Sequence, residues 1–419
     1  MPIGITEDHH ALHDAVRGWV QRHCPPAVPR AVLDAEREER PPFWEALAAQ
    51  GWLGLHVPEA DGGSGYGIPE LVVVLEELGA AAAPGPALAT TLAVAVVAAT
   101  TSHAARADLL PALAAGERIG AVAGGRGVAL RAHVAPGGLR IEGRARPVLS
   151  AHLADVLVAR AATGATTPDV WVAFDVGDGV SVNELPSVDL TRRVAEVVVD
   201  TVVPETRILT GIDGAFVRDV AAVLASAELV GVAQWCVDTA AAYAKDRVQF
   251  GRPIGQFQAV KHKCADMLCR VELARAAAWD AARAVHDDRT RTLAAASAAA
   301  LALEAAFENA KDCVQVHGGI GFTWEHDAHI YLRRAIALRA LVGEPSEWHA
   351  RAARRALAGE RRTLSVDLGA EAEPIRAEVR AFLADVRDLD PVEQRRRIAD
   401  AGYVMPMWPP PWGRGARAV

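Results

Sequence analysis

Lysine is nearly absent from this chain: only Lys245, Lys261, Lys263 and Lys311 occur, and the formal net charge is −8. With no block of basic residues, nucleic acid is not an expected partner. About half of the residues are apolar, yet no run of roughly 18 uninterrupted strongly apolar residues is present, so no membrane span is expected. The N-terminus, Met1 to His10, has neither the basic n-region nor the apolar h-region of a secretory signal. Five cysteines, Cys24, Cys236, Cys264, Cys269 and Cys313, form no CxxC pair and no disulfide framework, which points to reduced thiols and a cytoplasmic location. Cys264 and Cys269 sit among apolar residues of a helical run and are expected in the core. No Walker Lys-Ser/Thr exists, and Gly124-Gly-Arg-Gly127 lacks the strand–helix setting of a dinucleotide fingerprint. His326 and His329, at i, i+3, lack a third ligand, so a capping or solvated role is expected and no metal site.

At 419 residues the chain has room for two or three domains, and its texture changes along its length. Residues 7–23 form an amphipathic run with Leu12, Val16, Trp19 and Val20 at helical spacing. Pro41-Pro42 opens a second helix over 43–50, which Gly51 ends. A turn-rich loop over 51–65 precedes helical stretches 68–79 and 85–100. Over 117–211, short Val-rich runs at 156–159, 170–173 and 197–199 alternate with Gly, Pro and Asp turns, the pattern of a β domain. From 212 to 358 the helical period returns, with Met267, Val271, Ala274 and Ala278 on one face. The expected class is α+β: a helical domain over 1–116, a β domain over 117–211, a helical-bundle domain over 212–358, and a tail over 359–419.

The tail carries an apparent repeat of the N-terminus. Val379-Arg-Ala-Phe-Leu383 matches Val16-Arg-Gly-Trp-Val20, and Asp400-Ala-Gly-Tyr-Val-Met-Pro-Met-Trp-Pro409 matches Ala49-Gln-Gly-Trp-Leu-Gly-Leu-His-Val-Pro58. Trp412-Gly413 falls where Asp61-Gly62 does. Recurrence in fixed order marks a duplicated domain, and the alternative is a C-terminal helix docking on its own domain. As the start of an incomplete copy, the tail should leave Trp408, Trp412 and Pro409-Pro-Pro411 largely exposed.

The residues most suited to chemistry lie in Asp246-Arg-Val-Gln-Phe-Gly-Arg-Pro-Ile-Gly-Gln-Phe-Gln258 and Gln315-Val-His-Gly-Gly-Ile-Gly-Phe-Thr323. Arg247 offers a planar fork to a pyrophosphate. Phe250 gives an apolar face, Gln258 and Gln315 give amide hydrogen bonds, and Gly318-Gly319 lets backbone approach a ligand closely. In this order the two segments resemble the C-terminal helical domain of the acyl-CoA dehydrogenase family. The loop at 51–65 and the run Leu75-Glu-Glu-Leu-Gly79 to Pro84-Gly-Pro86 resemble its N-terminal domain. Trp324-Glu-His-Asp-Ala-His329 and Asp189-Leu-Thr-Arg-Arg193 resemble an actinobacterial branch with paired or fused catalytic and non-catalytic halves. The resemblance spans roughly residues 7–358. It implies FAD as cofactor, with Arg247, Phe250, Gln258, Gln315, Gly318 and Gly319 on the ADP half of an FAD whose flavin sits in the neighbouring subunit. It also implies an acyl-CoA substrate, a homo- or hetero-oligomer, and electron-transfer flavoprotein as acceptor.

The family desaturates an acyl-CoA: a carboxylate removes the α-proton while the β-hydride passes to the flavin. Its usual base position falls here on Val342. The alternative base position of some relatives falls on Ala221 or Ala222, and Glu344 stands two residues displaced. The flavin-contacting motifs are also missing: Ala121-Val-Ala-Gly-Gly-Arg-Gly127 and Arg146-Pro-Val-Leu-Ser150 lack the hydroxyl and aromatic groups that hold the ring. By resemblance, this chain reads as a non-catalytic half that completes a partner's FAD site, with the tail beginning a second dehydrogenase copy. The alternatives are a self-sufficient dehydrogenase using Glu344 and a flavin-free scaffold protein.

Overall fold

The computed structural model describes residues 5–164, 167–362, 370 and 372–416. Those from 5 to 362 form one compact unit, and the described residues beyond it form a second.

The first unit opens with α1 (Glu7–His23), α2 (Ala27–Ala31), α3 (Trp44–Ala48), α4 (Ile68–Ala80), α5 (Ala87–Ala98) and α6 (His103–Ala114). Thr6 and His9 cap α1 reciprocally, the hydroxyl accepting from the His9 N–H and the His9 ring from the Thr6 N–H. Val16, Trp19 and Val20 are buried, as their spacing requires. Helices α2 and α6 lie within the expected helical domain; α6 contains Pro111, a residue that ordinarily argues against a helix interior.

Seven strands follow: β1 (Gly120–Ala123), β2 (Val128–Ala135), β3 (Gly138–Leu149), β4 (Val156–Ala161), β5 (Val170–Asp175), β6 (Val180–Leu185) and β7 (Val194–Pro204). They make a three-stranded sheet in the order β1-β4-β5 and a four-stranded sheet in the order β2-β3-β7-β6. The β1–β4 pair is parallel and the remaining pairs in these sheets are antiparallel.

The unit closes with α7 (Gly214–Asp246), a hairpin of β8 (Val248–Gln249) and β9 (Arg252–Pro253), and then α8 (Gln258–Ala284), α9 (Arg291–His317), α10 (Ala328–Val342) and α11 (Pro345–Leu357). Helix–β–helix is therefore the observed order. Helix α7 is long and apolar enough to cross a membrane, with a mean hydropathy of 1.7. It is a core helix: 83% of that window is buried inside the fold, and it carries the buried Asp219 and Glu228. Helices α4 and α7 cross at two glycines, since a Cβ on Gly231 would stand 1.9 Å from the Glu76 carbonyl oxygen and one on Gly79 2.2 Å from that of Glu228. Met267, Val271, Ala274 and Ala278 of α8 all face inward. Cys264 is half-buried and Cys269 is exposed, which corrects the expectation that both lie in the core; Cys269 falls on the outer face of the same helical period.

A buried ionic node joins the helical and β parts. Arg334 of α10 donates to Asp189 Oδ2 at 2.7 Å, to Glu228 Oε1 at 2.9 Å and to the Ala83 carbonyl at 3.0 Å. Arg192 adds a second guanidinium, 2.6 Å from Glu228 Oε1. Burial alone would raise the Asp189 carboxyl, but the Arg334 and Arg192 charges and the Thr191 hydrogen bonds override it and hold it below its ordinary value.

In the second unit, α12 (Ala372–Val386) and α13 (Pro391–Asp400) lead into a loop from 401 to 416. Its internal geometry repeats that of the loop after α3. Gly51 and Gly402 both follow a helix with left-handed backbone, φ +70° and +73°, and each N–H donates three residues back, to Ala48 and to Ala399, at 2.9 Å. Val57 N–H to Gly54 O is matched by Trp408 N–H to Met405 O, and Asp61 N–H to Pro58 O by Trp412 N–H to Pro409 O. Gly65 N–H to Val57 O and Tyr66 N–H to Leu55 O are matched by Gly415 N–H to Trp408 O and Ala416 N–H to Pro406 O. The Trp19–Trp52 edge contact, 5.4 Å between ring centres, has its counterpart in Phe382–Tyr403 at 4.6 Å. The two loops differ in burial. Trp52, Leu53, Leu55 and Val57 are buried, whereas Trp408 and Trp412 are 51% and 70% exposed.

Candidate functional site

The two gripping segments meet at one end of the C-terminal helices. Arg247 caps α7, its N–H donating to the Tyr243 carbonyl and its own carbonyl accepting from Ile254, both at 2.8 Å. Phe250 and Gly251 then turn the β8–β9 hairpin with φ of +53° and +74°. Tyr243, one turn before Arg247, stacks on His317 with ring centres 4.4 Å apart, and His317 Nδ1–H donates to the Cys313 carbonyl at 2.8 Å. That stack brings the end of α7 beside the end of α9, where Gln315, Gly318 and Gly319 lie. Lys263 and Arg270 of α8 pair with Asp312 of α9 at 2.5 and 2.9 Å, so the start of α8, with Gln258, lies at the same end.

Arg247, Phe250, Gln258, Gln315, Gly318 and Gly319 are all exposed, Phe250 to 91%. The Arg247 guanidinium makes no hydrogen bond or ion pair among the described residues, so no surface salt bridge, to Asp246 or any other described carboxylate, accounts for it. A Cβ on Gly318 or Gly319 would meet nothing within 4 Å. Free donors beside bare backbone, with open space in front, suit a pyrophosphate and its flanking groups.

The opposite side of the helices is different. Val342 ends α10 and packs partly against the core, Ala221 is half-buried and Ala222 is buried. Glu344 is the N-cap residue of α11, its side chain 51% exposed and tied to Arg339, whose Nε donates to its Oε2 at 2.7 Å. A base that must be desolvated to work gains nothing from that setting. In the β1–β2 turn, Gly124 is backed by Trp171 and Arg126 pairs with Glu347 of α11. A cavity of about 160 Å³ lies between Pro147, Leu149, Val188, Val194, Leu338 and Leu341. That is below the roughly 300–1,000 Å³ of small-molecule sites.

His326 lies against His317, 4.1 Å between ring centres, and His329 against the Trp324 edge at 4.5 Å. His326 also caps the start of α10, its Nδ1 accepting from the Ala328 N–H at 3.1 Å, while His329 packs. Asp189, Thr191 and Arg192, quoted above only as a branch signature, form the buried node with Arg334. Their distant partners, Glu228 and Arg334, are more than 30 residues away in sequence, so no local pattern could have revealed the node.

The family model for the acyl-CoA dehydrogenase N-terminal domain matches residues 6–117, and that for the C-terminal domain matches residues 219–358. The chain belongs to the acyl-CoA dehydrogenase family. Acyl-CoA dehydrogenase IpdE2 of Mycolicibacterium smegmatis is 36% identical over 82% of this chain and 97% of its own length. Acyl-CoA dehydrogenase FadE34 of Mycobacterium tuberculosis is 40% identical over 99% of this chain. The chain spans 57% of that relative's length. Among solved structures, the ChsE4–ChsE5 complex of Mycobacterium tuberculosis superposes with a TM-score of 0.79 at 28% identity, covering 87% of this chain and all of that one. These relatives place the chain in an actinobacterial acyl-CoA dehydrogenase group, at family level an FAD-dependent oxidoreductase.

Proposed function

We propose that this chain is the non-catalytic half of an acyl-CoA dehydrogenase assembly, supplying the ADP grip for an FAD whose flavin sits in a catalytic partner. The observation that carries this reading is an asymmetry. Arg247 is free, exposed and fork-shaped at one end of the helices, while Val342, Ala221 and Ala222, at the base positions, have no group able to take a proton. When bound, FAD supplies the hydride acceptor for acyl-CoA desaturation. Here Arg247 would neutralise the pyrophosphate, Phe250 cover an apolar face, Gln258 and Gln315 hydrogen-bond, and Gly318-Gly319 let the protein backbone approach the ligand closely. A complex of two differently named subunits among the solved relatives, ChsE4–ChsE5, fits such pairing. The acceptor from the assembled complex would be electron-transfer flavoprotein, and five free thiols suit a reducing cytoplasm.

Arg247→Ala should weaken FAD retention in the complex with the catalytic partner at least tenfold. A charge-assisted contact of about 1.5–3 kcal/mol is lost, and the fold should stay intact because the guanidinium touches no described protein group. FAD titration of the reconstituted complex reads this directly. Unchanged affinity would remove the shared site and favour a flavin-free scaffold protein.

The tail is, in the same proposal, the start of a second dehydrogenase copy. The loop hydrogen bonds recur in order, and the match to the longer FadE34 runs through the tail as well. Limited proteolysis should cut between Gly359 and Glu373, a stretch that includes residues 363–369 and 371 outside the described ones, and release a folded core of residues 1 to ~358. Protection of that stretch equal to the core would assign the tail to the first body instead.

A further inference from the structure

Three of the five cysteines meet in one layer of the C-terminal helices. The Asn309 amide of α9 donates to the Met267 carbonyl of α8 at 2.9 Å and to the Ala233 carbonyl of α7 at 3.5 Å. Those bonds fix which turns of α7, α8 and α9 lie side by side. Tyr243 of α7 stacks on His317 of α9, and Lys263 of α8 pairs with Asp312 of α9. Helices α7 and α9 therefore run together toward the end that carries Arg247, and α8 runs back from it. One helical turn from the Asn309 level toward that end, α7 carries Cys236, α9 carries Cys313 and α8 carries Cys264. Cys236 and Cys313 are fully buried with their thiols in hydrogen-bond contact, and Cys264 is half-buried.

Cys313 is placed as the nucleophile of this group. Its Sγ stands 3.7 Å from His317 Nδ1, whose N–H also donates to the Cys313 carbonyl. The Cys236 hydrogen bond lowers the Cys313 thiol below its ordinary value, burial opposes this, and the His317 hydrogen bond and charge add to the lowering. Cys236 is pushed the other way, by burial first and then by Cys313. A thiolate held against a second thiol is the arrangement that thiol–disulfide exchange requires. Burial by itself keeps such a pair inert, and Cys264 supplies the opening. It shares the layer, the charge of Cys313 reaches it, second to burial in raising its thiol, and part of it meets solvent.

We propose that Cys236 and Cys313 form a redox-modifiable pair, closing to a disulfide across α7 and α9, and that a low-molecular-weight disulfide loads the pair through Cys264. Cys264 attacks the small disulfide and expels the first small thiol. Cys313 then attacks Cys264 Sγ and expels the second. Cys236 attacks Cys313 Sγ and returns Cys264 as a thiol. Each expelled thiolate takes up the proton that its attacker gives up. Two protein thiols are oxidised to one disulfide, and the small disulfide is reduced to two thiols. The cross-link withdraws Cys313 from His317, which precedes Gly318-Gly319 and stacks on Tyr243, one turn from Arg247. Oxidation therefore alters the packing at the junction of the two segments that carry the ADP-grip candidates.

The test exposes the full-length protein to oxidised glutathione, traps the remaining thiols with iodoacetamide and maps the peptides by mass. A peptide pair linking Cys236 to Cys313 should appear, and dithiothreitol should remove it. Cys264→Ala should slow its formation at least about tenfold, and Cys313→Ala should leave glutathione on Cys264. Burial lowers the His317 ring, and the Cys313 hydrogen bonds and charge more than reverse it. In the cross-linked protein that ring, followed by NMR, should therefore titrate at lower pH than in the reduced one. Unfolding temperatures check that the variants fold, and the linked peptide in the unsubstituted chain decides the matter where one does not. No Cys236–Cys313 link, glutathione confined to Cys264 or the exposed Cys269, an unaltered rate in folded Cys264→Ala, or an unmoved His317 titration would each overturn the proposal. None of these readouts involves FAD or turnover, so the result stands apart from the shared-site reading.

Discussion

The isolated chain should desaturate acyl-CoA at least about 10²-fold more slowly than an active relative when assayed with an artificial electron acceptor. General-base catalysis is typically worth about 10²–10⁴-fold, and both base positions carry aliphatic side chains. Glu344 does not replace them in this geometry. It is half exposed, paired with Arg339, and placed at a helix start, a setting unlike the dry pocket in which a working base sits. Robust turnover that disappears in Glu344→Gln would reverse this conclusion and make the chain a self-sufficient dehydrogenase. Turnover restored only by mixing with a catalytic acyl-CoA dehydrogenase subunit would support the paired reading, because the missing base would then come from the other chain.

Arg334→Met should destabilise the main body by about 3–5 kcal/mol, the cost of removing one member of a buried ion network. The Asp189 and Glu228 carboxylates would remain buried, with only Arg192 to oppose them. The pH dependence gives a sharper signature than the loss itself. In the parent chain Asp189 is held below its ordinary value, so its contribution is fully present above the unfolded-state pKa of about 3.9. It is lost only as pH falls through the lower folded value. Without Arg334, burial would raise the Asp189 carboxyl, and protonating it removes the penalty. The deficit of the variant against the parent should therefore shrink on acidification. Urea unfolding at several pH values measures both effects, and a deficit independent of pH would show that Arg334 acts through packing alone.

The proposed ADP-binding motif stood out in the sequence because its residue types are unusual for an exposed turn. A Phe at the hairpin tip and a Gly pair after a helix make little sense as packing, and Phe250, Gly318 and Gly319 are indeed exposed. The inner faces of α1 and α8 were legible because helical period alone decides which side of an amphipathic helix is apolar. Cys269 shows the limit of that argument, since local apolar context does not say which face of the helix a residue takes. Helix α6 falls inside the stretch read as helical and tolerates Pro111 in its interior, where Leu109, Leu110 and Leu113 are fully buried.

By itself the sequence determined the succession of helical, β and helical segments, the family, and the residues proposed for the ADP grip and the base positions. Each of these is local: a period, a motif or a residue type at a counted position. Only the tertiary structure decided the strand order, the freedom of Arg247 from any described partner, the capture of Glu344 by Arg339, and the nodes around Arg334 and Cys313. Arg334 meets Asp189 across 145 residues and Glu228 across 106, and the chain writes no short-range signal for such a meeting. Whether a charged side chain is paired, buried or left free is fixed by which distant segments the folded core brings beside it.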